Sequence, residues 1–410
     1  MFRLSATAGY TYVSYLRERG DGLIDSRNQL EVQPRFEAGG ARPVRGVLAL
    51  DLRVDAADSS RSRGVVEEAY LQATVAGIDM RLGRQFIRWG QTEVTRPTDG
   101  FMRHDDRDFL DLREESIDAA RVWYDTGGWS LEGVWAPVFR ADLFPLDPRD
   151  RWSGLPQTTD LPGVGTVDLE YQVDHAGQPR GVLPSSQAGL RLARRQARVD
   201  WSVSGYYGFD RTPTSVDVRL LSVDAGSGDG HVELTPRYGR IKVLGADCAG
   251  VVRGFGLRAE GTYTLTADRG GTEPGVDDPY LRLVAGFDRT HAGFSAAQTV
   301  YWNVQYLLDT EAPRRGEKNQ ADIEPRFRHL YEQGLTWNLE YRFESEVTLA
   351  VKGFVNLEDG DYAVRPELTW HPNDALTLSV AADLLAGGAE TFFGTFERND
   401  SLRGRLTVSF

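Results

Sequence analysis

Apolar and polar residues alternate one for one along much of this chain. In Val44–Val54 the residues Val44, Gly46, Leu48, Leu50, Leu52 and Val54 share one parity, against Arg45, Asp51 and Arg53 on the other. Successive side chains of a strand point to opposite faces, so such a segment has one apolar and one charged face. Trp201–Asp210, Leu335–Phe343, Val347–Asn356, Tyr362–Trp370 and Leu376–Leu384 repeat the pattern. About eighteen segments of roughly 9–14 residues read this way. About sixteen is the alternative count, because Pro213 and Pro236 interrupt the alternation near 211–250. The last segment sets Leu402, Gly404, Leu406, Val408 and Phe410 against Arg403, Arg405, Thr407 and Ser409, and stops on an aromatic residue.

Helical periodicity that could cover so many apolar faces is almost absent. Closing the sheet on itself with the apolar face outward leaves no edge and satisfies every backbone group. The expected fold is therefore all-β: one domain over 1–410, a transmembrane antiparallel β-barrel. Connection lengths support it. Long connections at 15–26, 55–63, 91–115, 140–185, 211–233, 267–278, 306–331, 358–361 and 386–400 alternate with short ones. The short ones are Gly39-Gly40, Gly77, Gly127-Gly128, Arg195-Gln196, Arg253-Gly254, Thr290-His291, Ser345 and Pro372-Asn373. Long extracellular loops and short periplasmic turns give a barrel that parity. Tyr10, Tyr12, Trp129, Phe139, Phe209, Tyr263, Trp302, Tyr306, Trp370 and Phe410 sit near segment ends, where interfacial girdles are expected.

Composition narrows the classes. Mean hydropathy is −0.41, and no run approaches the ~20 apolar residues of a transmembrane helix. The net charge of −13 leaves no basic excess for nucleic acid. Cys248 is the single cysteine, so neither an intrachain disulfide nor a cysteine zinc site is open to the chain. The barrel reading places the protein in the outer membrane of a Gram-negative bacterium, and expects a secretory leader to have been removed ahead of Met1.

Leu82–Gln91 (Leu-Gly-Arg-Gln-Phe-Ile-Arg-Trp-Gly-Gln) is the most distinctive local sequence. Alternation breaks there, since Arg84 and Arg88 fall in phase with Leu82 and Phe86; a bulge or the exit of the strand would explain it. Glu93–Phe109 is then too rich in arginine and aspartate for a bare linker. It reads either as an inward-folded constriction loop, with Arg84, Arg88, Trp89, Asp99, Arg103, Asp105, Asp106 and Arg107 as candidates, or as a loop pinned to the wall by ion pairs. Asp105, Asp106 and Asp108 beside His104 lack EF-hand spacing, and the interleaved Arg103 and Arg107 favour ion pairing over a metal. No cofactor is expected. His104, His175, His231, His291, His329 and His371 are scattered, and neither a Gly-x-Ser-x-Gly elbow nor a His-Glu-x-x-His motif occurs, so catalysis is not expected.

Gly83-Arg84-Gln85…Trp89-Gly90 with Pro97-Thr98-Asp99 resembles an uncharacterised group of Gram-negative outer-membrane barrels. Val243–Cys248, Phe255–Gly261 and Asp278–Asp288 are similar to the same group. The shorter glycine-arginine-glutamine piece also resembles porin-like barrels such as alginate exporters. The resemblance implies fold and location and brings no substrate.

The strand register puts Arg35, Arg45, Asp51, Arg53, Arg121, Arg258, Glu260, Arg282, Glu340, Arg342, Lys352, Arg365, Glu367, Arg403 and Arg405 on the inner face. Arginine is over-represented there although the chain is acidic. The leading expectation is a porin-like channel for passive passage of polar or anionic solutes or a polymer. The second is a non-conducting barrel subunit of an envelope complex, an exporter or surface-motility machine, acting through periplasmic or other outer-membrane partners. Its case rests on Trp152, Leu155, Leu161, Val164 and Val167 in the 140–185 loop, which alternatively pack into the lumen mouth. Either way the partners include outer-membrane lipid and, through the C-terminal strand, the barrel assembly machinery.

Overall fold

The structure, a computed structural model, describes residues 2–17, 23–39, 44–224, 228–270, 273, 276–295, 297–311, 331–344 and 346–410. Eighteen strands form the wall. The first nine are β1 (Phe2–Tyr15), β2 (Ser26–Ala38), β3 (Val44–Asp55), β4 (Arg63–Val75), β5 (Ile78–Gln85), β6 (Ile117–Thr126), β7 (Trp129–Ala136), β8 (Gln187–Arg194) and β9 (Val199–Phe209). The others are β10 (Arg240–Val252), β11 (Phe255–Leu265), β12 (Tyr280–Ala292), β13 (Thr299–Glu311), β14 (Gln333–Arg342), β15 (Val347–Asn356), β16 (Tyr362–Asn373), β17 (Leu376–Ala386) and β18 (Ser401–Ser409). Each pairs antiparallel with its chain neighbour. The terminal strand β18 closes on β1, from Tyr15↔Ser401 to Thr7↔Ser409. Ala6 and Phe410 exchange two backbone hydrogen bonds beyond that ladder, at 2.8 and 3.0 Å.

The apolar parity faces outward. Leu48, Leu52, Leu71, Leu82, Leu190, Leu244, Leu368 and Leu406 are all exposed on the outer surface. A continuous belt of this kind is stable only against hydrocarbon, so the barrel is a transmembrane one. Exposed aromatics ring both ends. Tyr12, Trp135, Tyr207, Tyr263, Tyr306 and Tyr362 lie toward the long loops, and Phe2, Trp129, Phe287, Phe343, Trp370 and Phe410 toward the short turns. Phe139 is not among them. It is buried in a long loop, between Phe209 and Tyr238 at 5.3 and 5.1 Å.

Several boundaries move. At Ala76-Gly77, Gly127-Gly128 and Arg253-Gly254 both turn residues have positive φ, the geometry of tight primed hairpins. Thr290 and His291 remain inside β12, and Pro372 and Asn373 inside β16, so those turns fall a few residues later than expected. Gly40 and Ser345 lie outside the described residues. The loop expected at 91–115 extends over 86–116, and that at 140–185 over 137–186. The loop expected at 211–233 runs on to 239, because the alternating segment Asp229–Arg237 pairs with Ser215–Asp224 above the wall instead of entering it. Pro213 and Pro236 both belong to that loop. The expected 306–331 loop starts late, since β13 continues to Glu311; residues 312–330, including His329, lie outside the described set.

Loops 137–186 and 210–239 merge into a four-stranded sheet in which Asp168–Val173 runs parallel to Asp229–Leu234. In β4 the pairing shifts at Glu67, where Ala49 faces Glu68 and Leu50 faces Val66. This bulge sets two consecutive glutamates toward the inside.

Candidate functional site: a segment folded across the lumen

Strand β5 stops at Gln85, and from there the chain turns into the barrel. Gly83 makes the exit feasible. Its φ is +125°, and a Cβ on it would lie 2.2 Å from the Ala69 carbonyl oxygen. Gln85 is fully buried and its Nε2 donates to the carbonyls of Ala119 (3.0 Å) and Gly83 (3.2 Å). The break in alternation is thus strand exit, since the β5–β6 ladder runs without a bulge to Gln85↔Ile117. Arg84 stays on the outer parity opposite Asp118, and its Nε donates to Ser116 Oγ at 3.2 Å. It is not part of the inward loop.

Beyond the exit, Ile87 and Trp89 bury themselves with Phe101, Ile117, Val134, Tyr206 and Ile241 against the inner wall. Phe101 meets Trp89 and Tyr206 edge-on at 5.3 and 5.0 Å, each contact worth about 0.5–1.5 kcal/mol beyond its area. Trp89 Nε1 donates to Glu132 at 2.8 Å. The Pro97-Thr98-Asp99 turn folds back on this platform, with Asp99 Oδ1 accepting the backbone N–H of Trp89 and of Gly90, the latter at 2.7 Å.

Glu260 on β11 fastens the next stretch. Its carboxylate accepts the N–H groups of Gln91 (3.0 Å), Thr92 (3.2 Å) and Thr98 (2.7 Å), together with the hydroxyls of Thr92 (2.9 Å) and Thr98 (2.7 Å). Gly90 permits the approach, because a Cβ there would stand 2.8 Å from Glu260 Oε1 and 2.5 Å from Arg96 Cβ. Farther along, Glu93 pairs with Arg258 at 2.5 Å and accepts the Tyr301 hydroxyl at 2.6 Å.

The other half of the segment reaches the opposite wall. Asp108 meets Arg27 of β2 at 2.7 Å and Arg403 of β18 at 3.4 Å. Asp111 meets Arg403 at 3.0 Å and Arg405 at 3.4 Å. Arg113 pairs with Glu31 at 2.8 Å, and Glu115 with Arg63 at 2.5 Å. The loop therefore spans from β11 and β13 to β2, β4 and β18. Of the two readings open at the sequence level, the inward fold and the ion-paired anchoring are both present.

Asp105 and Asp108, which stood beside a candidate calcium position, are committed to arginines: Asp105 to Arg107 at 2.8 Å and Arg63 at 3.5 Å, Asp108 as above. Burial works against the Asp105 charge, but Arg107 and Arg63 hold its carboxyl at about 2. Asp106 differs. Burial, then the neighbouring charges of Asp142 and Asp105, push its carboxyl up to about 8. Burial likewise raises Asp142, which accepts the His104 N–H at 2.8 Å. Two chain crossings tie the segments together there, with Asp106 N–H donating to Leu143 O and Leu143 N–H to His104 O, at 2.8 and 3.0 Å. Arg103 Nε donates to Ala141 O at 2.5 Å. Arg88 pairs with Glu114.

Most inner-face charges expected from the register are paired across strands. Arg35 meets Glu37 (2.9 Å) and Glu68, Arg45 meets Glu37 (2.8 Å), and Arg53 meets Asp51 (2.9 Å) and Glu31 (3.1 Å). Arg121 meets Glu132 (2.8 Å), Arg258 also meets Asp288 (3.0 Å), and Arg282 meets Asp309 (2.8 Å). Lys352 meets Glu367 (3.2 Å), and Arg365 meets Asp383 (2.5 Å). Glu340 accepts Asn338 Nδ2 at 2.8 Å, while Arg342 is exposed at the turn end of β14. Arg27 went unrecognised as an inner residue because it sits at the first turn of β2, although its parity with Gln29 and Glu31 marks it.

Trp152 fills the lumen mouth. It packs with Ala363, Leu385, Phe393 and Phe396, with Phe109 and Phe392 beside them. Val167 is buried and Val164 exposed. Cavities flank the segment among the described residues. One of about 440 Å³ lies beside the crossing segment, lined by Glu31, Asp51, Arg53, Glu67, Arg113 and Arg405. An outer one of about 1420 Å³ is lined by Arg103, Phe139, Asp142, Tyr171 and Tyr238 under the four-stranded sheet.

The fold and this site define a class, the eighteen-stranded transmembrane barrel with a loop folded into its lumen. Solved structures from Pseudomonas aeruginosa are similar to it in fold. OccK9 (OpdG) superposes with a TM-score of 0.54 at 11% identity, covering 100% of this chain and 97% of its own. OccK3 (OpdO) gives 0.52 at 11% identity, with 100% and 95% covered. OccD3 (OpdP) gives 0.52 at 10%, with 100% and 91% covered. No family model and no curated protein matches the sequence.

Proposed function

We propose that the protein is a passive outer-membrane channel for small polar solutes, anions included. The observation that carries this reading is the 86–116 segment, held across the lumen by Glu260 on one side and by Arg27, Arg403 and Arg405 on the other, with a charged cavity left beside it. A constriction of this kind sets pore width and field while the wall provides the aqueous path. Long loops then face outside and short turns the periplasm. Transport is downhill and draws on no catalytic group. Because nearly every inner arginine has a carboxylate partner, selectivity rests on the less buried cations at the cavity, Arg405 first among them. Steady single-channel current from the purified barrel in a planar bilayer is expected. Silence at every voltage, in a barrel that stays folded, refutes the channel.

One observation favours partner binding as a second role. The four-stranded sheet above the mouth exposes Val218, Leu220 and Leu221 together, an apolar face that an envelope partner would cover. Co-purification of a partner that is lost on Leu220→Glu would support it.

A further inference from the structure

On the outer surface, strands β6–β10 carry a shallow apolar groove of about 800 Å³. Its walls are Trp135, Leu190, Tyr207 and Leu244, and small residues form its floor. The groove is open above Gly205, since a Cβ added there would meet nothing within 4 Å. The groove is not featureless at its loop end. Lys242 lines it, facing outward beside Tyr207 with its Nζ 6.0 Å from that ring. One residue pair above, Arg240 lies over Tyr207 and Phe209 at 4.9 and 4.0 Å, held by the Ser186 and Pro184 carbonyls. Neither cation has a carboxylate partner among the described residues. Round the same rim, Arg140 shares the single acid Asp118 at 2.8 Å, with Arg84 paired opposite Asp118 in the ladder.

This is a local excess of positive charge on the outer face of a chain whose net charge is −13. It stands at the height of the loop-side aromatic ring, where the headgroups of the outer leaflet meet the barrel. Inside the barrel almost every arginine is paired. Among the described residues Lys242 and Arg240 have no carboxylate partner, and a cation at a membrane interface is stabilised by an anionic headgroup. Directly beneath them is a trough that straight hydrocarbon chains would fill.

We propose that this groove is a binding site for a phosphorylated, multiply acylated glycolipid of the outer leaflet. Lys242 and Arg240 engage its phosphate and the Gly205 trough takes an acyl chain. The proposal rests on the outer-membrane reading above. Tyr207 links the two halves, lending its ring to both cations and its flank to the groove.

Native mass spectrometry of the purified full-length barrel tests it, using bisphosphorylated hexa-acyl lipid A and the same lipid with both phosphates removed. The phosphorylated form is expected to be retained at least tenfold more strongly. Lys242→Gln should abolish that preference, and Gly205→Leu should weaken both lipids. Equal retention of the two lipids by the parent protein overturns the proposal, as does a Lys242→Gln variant that keeps the preference. A stable oligomer that Gly205→Leu dissociates also overturns it, because a second copy would then occupy the groove. Heat-modifiable gel mobility confirms that each variant is folded, and bilayer current is recorded from the same samples. Current without lipid discrimination refutes the lipid site alone; loss of current in the parent protein refutes the channel reading instead.

Discussion

Removing the Glu260 carboxylate should release the crossing segment without opening the barrel. Glu260→Ala leaves three backbone N–H groups and two hydroxyls without their acceptor. A hydrogen bond to a charged group contributes about 1.5–3 kcal/mol, yet water in the lumen will replace part of each. The hydroxyls can rotate to other partners, so the three amides dominate, and a net loss of about 2–4 kcal/mol for the seated loop is reasonable. That shifts the ratio of seated to released segment by about 30- to 1000-fold. The wall ladders on either side of Glu260 use backbone groups and stay intact. In planar bilayers the variant should show a larger mean conductance with millisecond flicker, and trypsin should cut after Arg88, beside the freed stretch, in the folded barrel. Glu260→Gln keeps one acceptor oxygen and should fall between. If conductance, noise and cleavage of Glu260→Ala all match the parent, then Glu260 is not what holds the segment and the anchoring argument fails.

Three further expectations follow from other contacts. Asp106, with its carboxyl raised to about 8, carries a proton in the folded protein that the unfolded chain releases at about pH 4, so the stability it lends is full below about pH 4 and is lost as pH climbs through 8; proteolysis around Arg103 should rise from about pH 4 to about pH 8 and level off above it, and Asp106→Asn should flatten that rise. Trp152→Ala empties the mouth cluster at a cost of about 3–5 kcal/mol to the seating of the 137–186 loop, which cleavage after Arg149 would register while gel mobility of the barrel is unchanged. Arg405→Glu should lower the anion-to-cation permeability ratio about two- to fivefold, whereas the buried, doubly paired Arg53 should mainly affect stability when reversed; an unmoved reversal potential for Arg405→Glu would count against a conducting path beside β18.

Strand parity was legible because it is local. Leu48, Leu52 and Val54 declare one face whatever the rest of the chain does. It failed at Leu234–Arg237, expected in the wall but part of the alternating ribbon Asp229–Arg237 that pairs with a neighbouring loop, and no local signal separates a wall strand from a loop ribbon of that length. The inward loop was legible as an excess of arginine and aspartate. What each charge does was not. Glu260 reads as one more inner carboxylate until residues 91–98, about 160 positions earlier in the chain, are brought beneath it. The pairings of Arg403 with Asp108 and Asp111 join residues 295 and 292 positions apart and depend on barrel closure. The glycines carried more information than parity alone extracts: Gly83 and Gly90 mark where the backbone leaves the wall and where it must come within reach of a carboxylate.

The clamp on the crossing segment uses Arg403 and Arg405 from the closing strand β18, and Arg27, Glu31 and Arg63 from β2 and β4. The two groups are neighbours only once β18 has zipped onto β1. Until that seam forms, half of the seat for residues 103–115 does not exist. Narrowing of the pore is thereby made the final event of biogenesis, and a barrel stalled with an open seam would hold an unseated loop, a state that a quality-control protease could recognise.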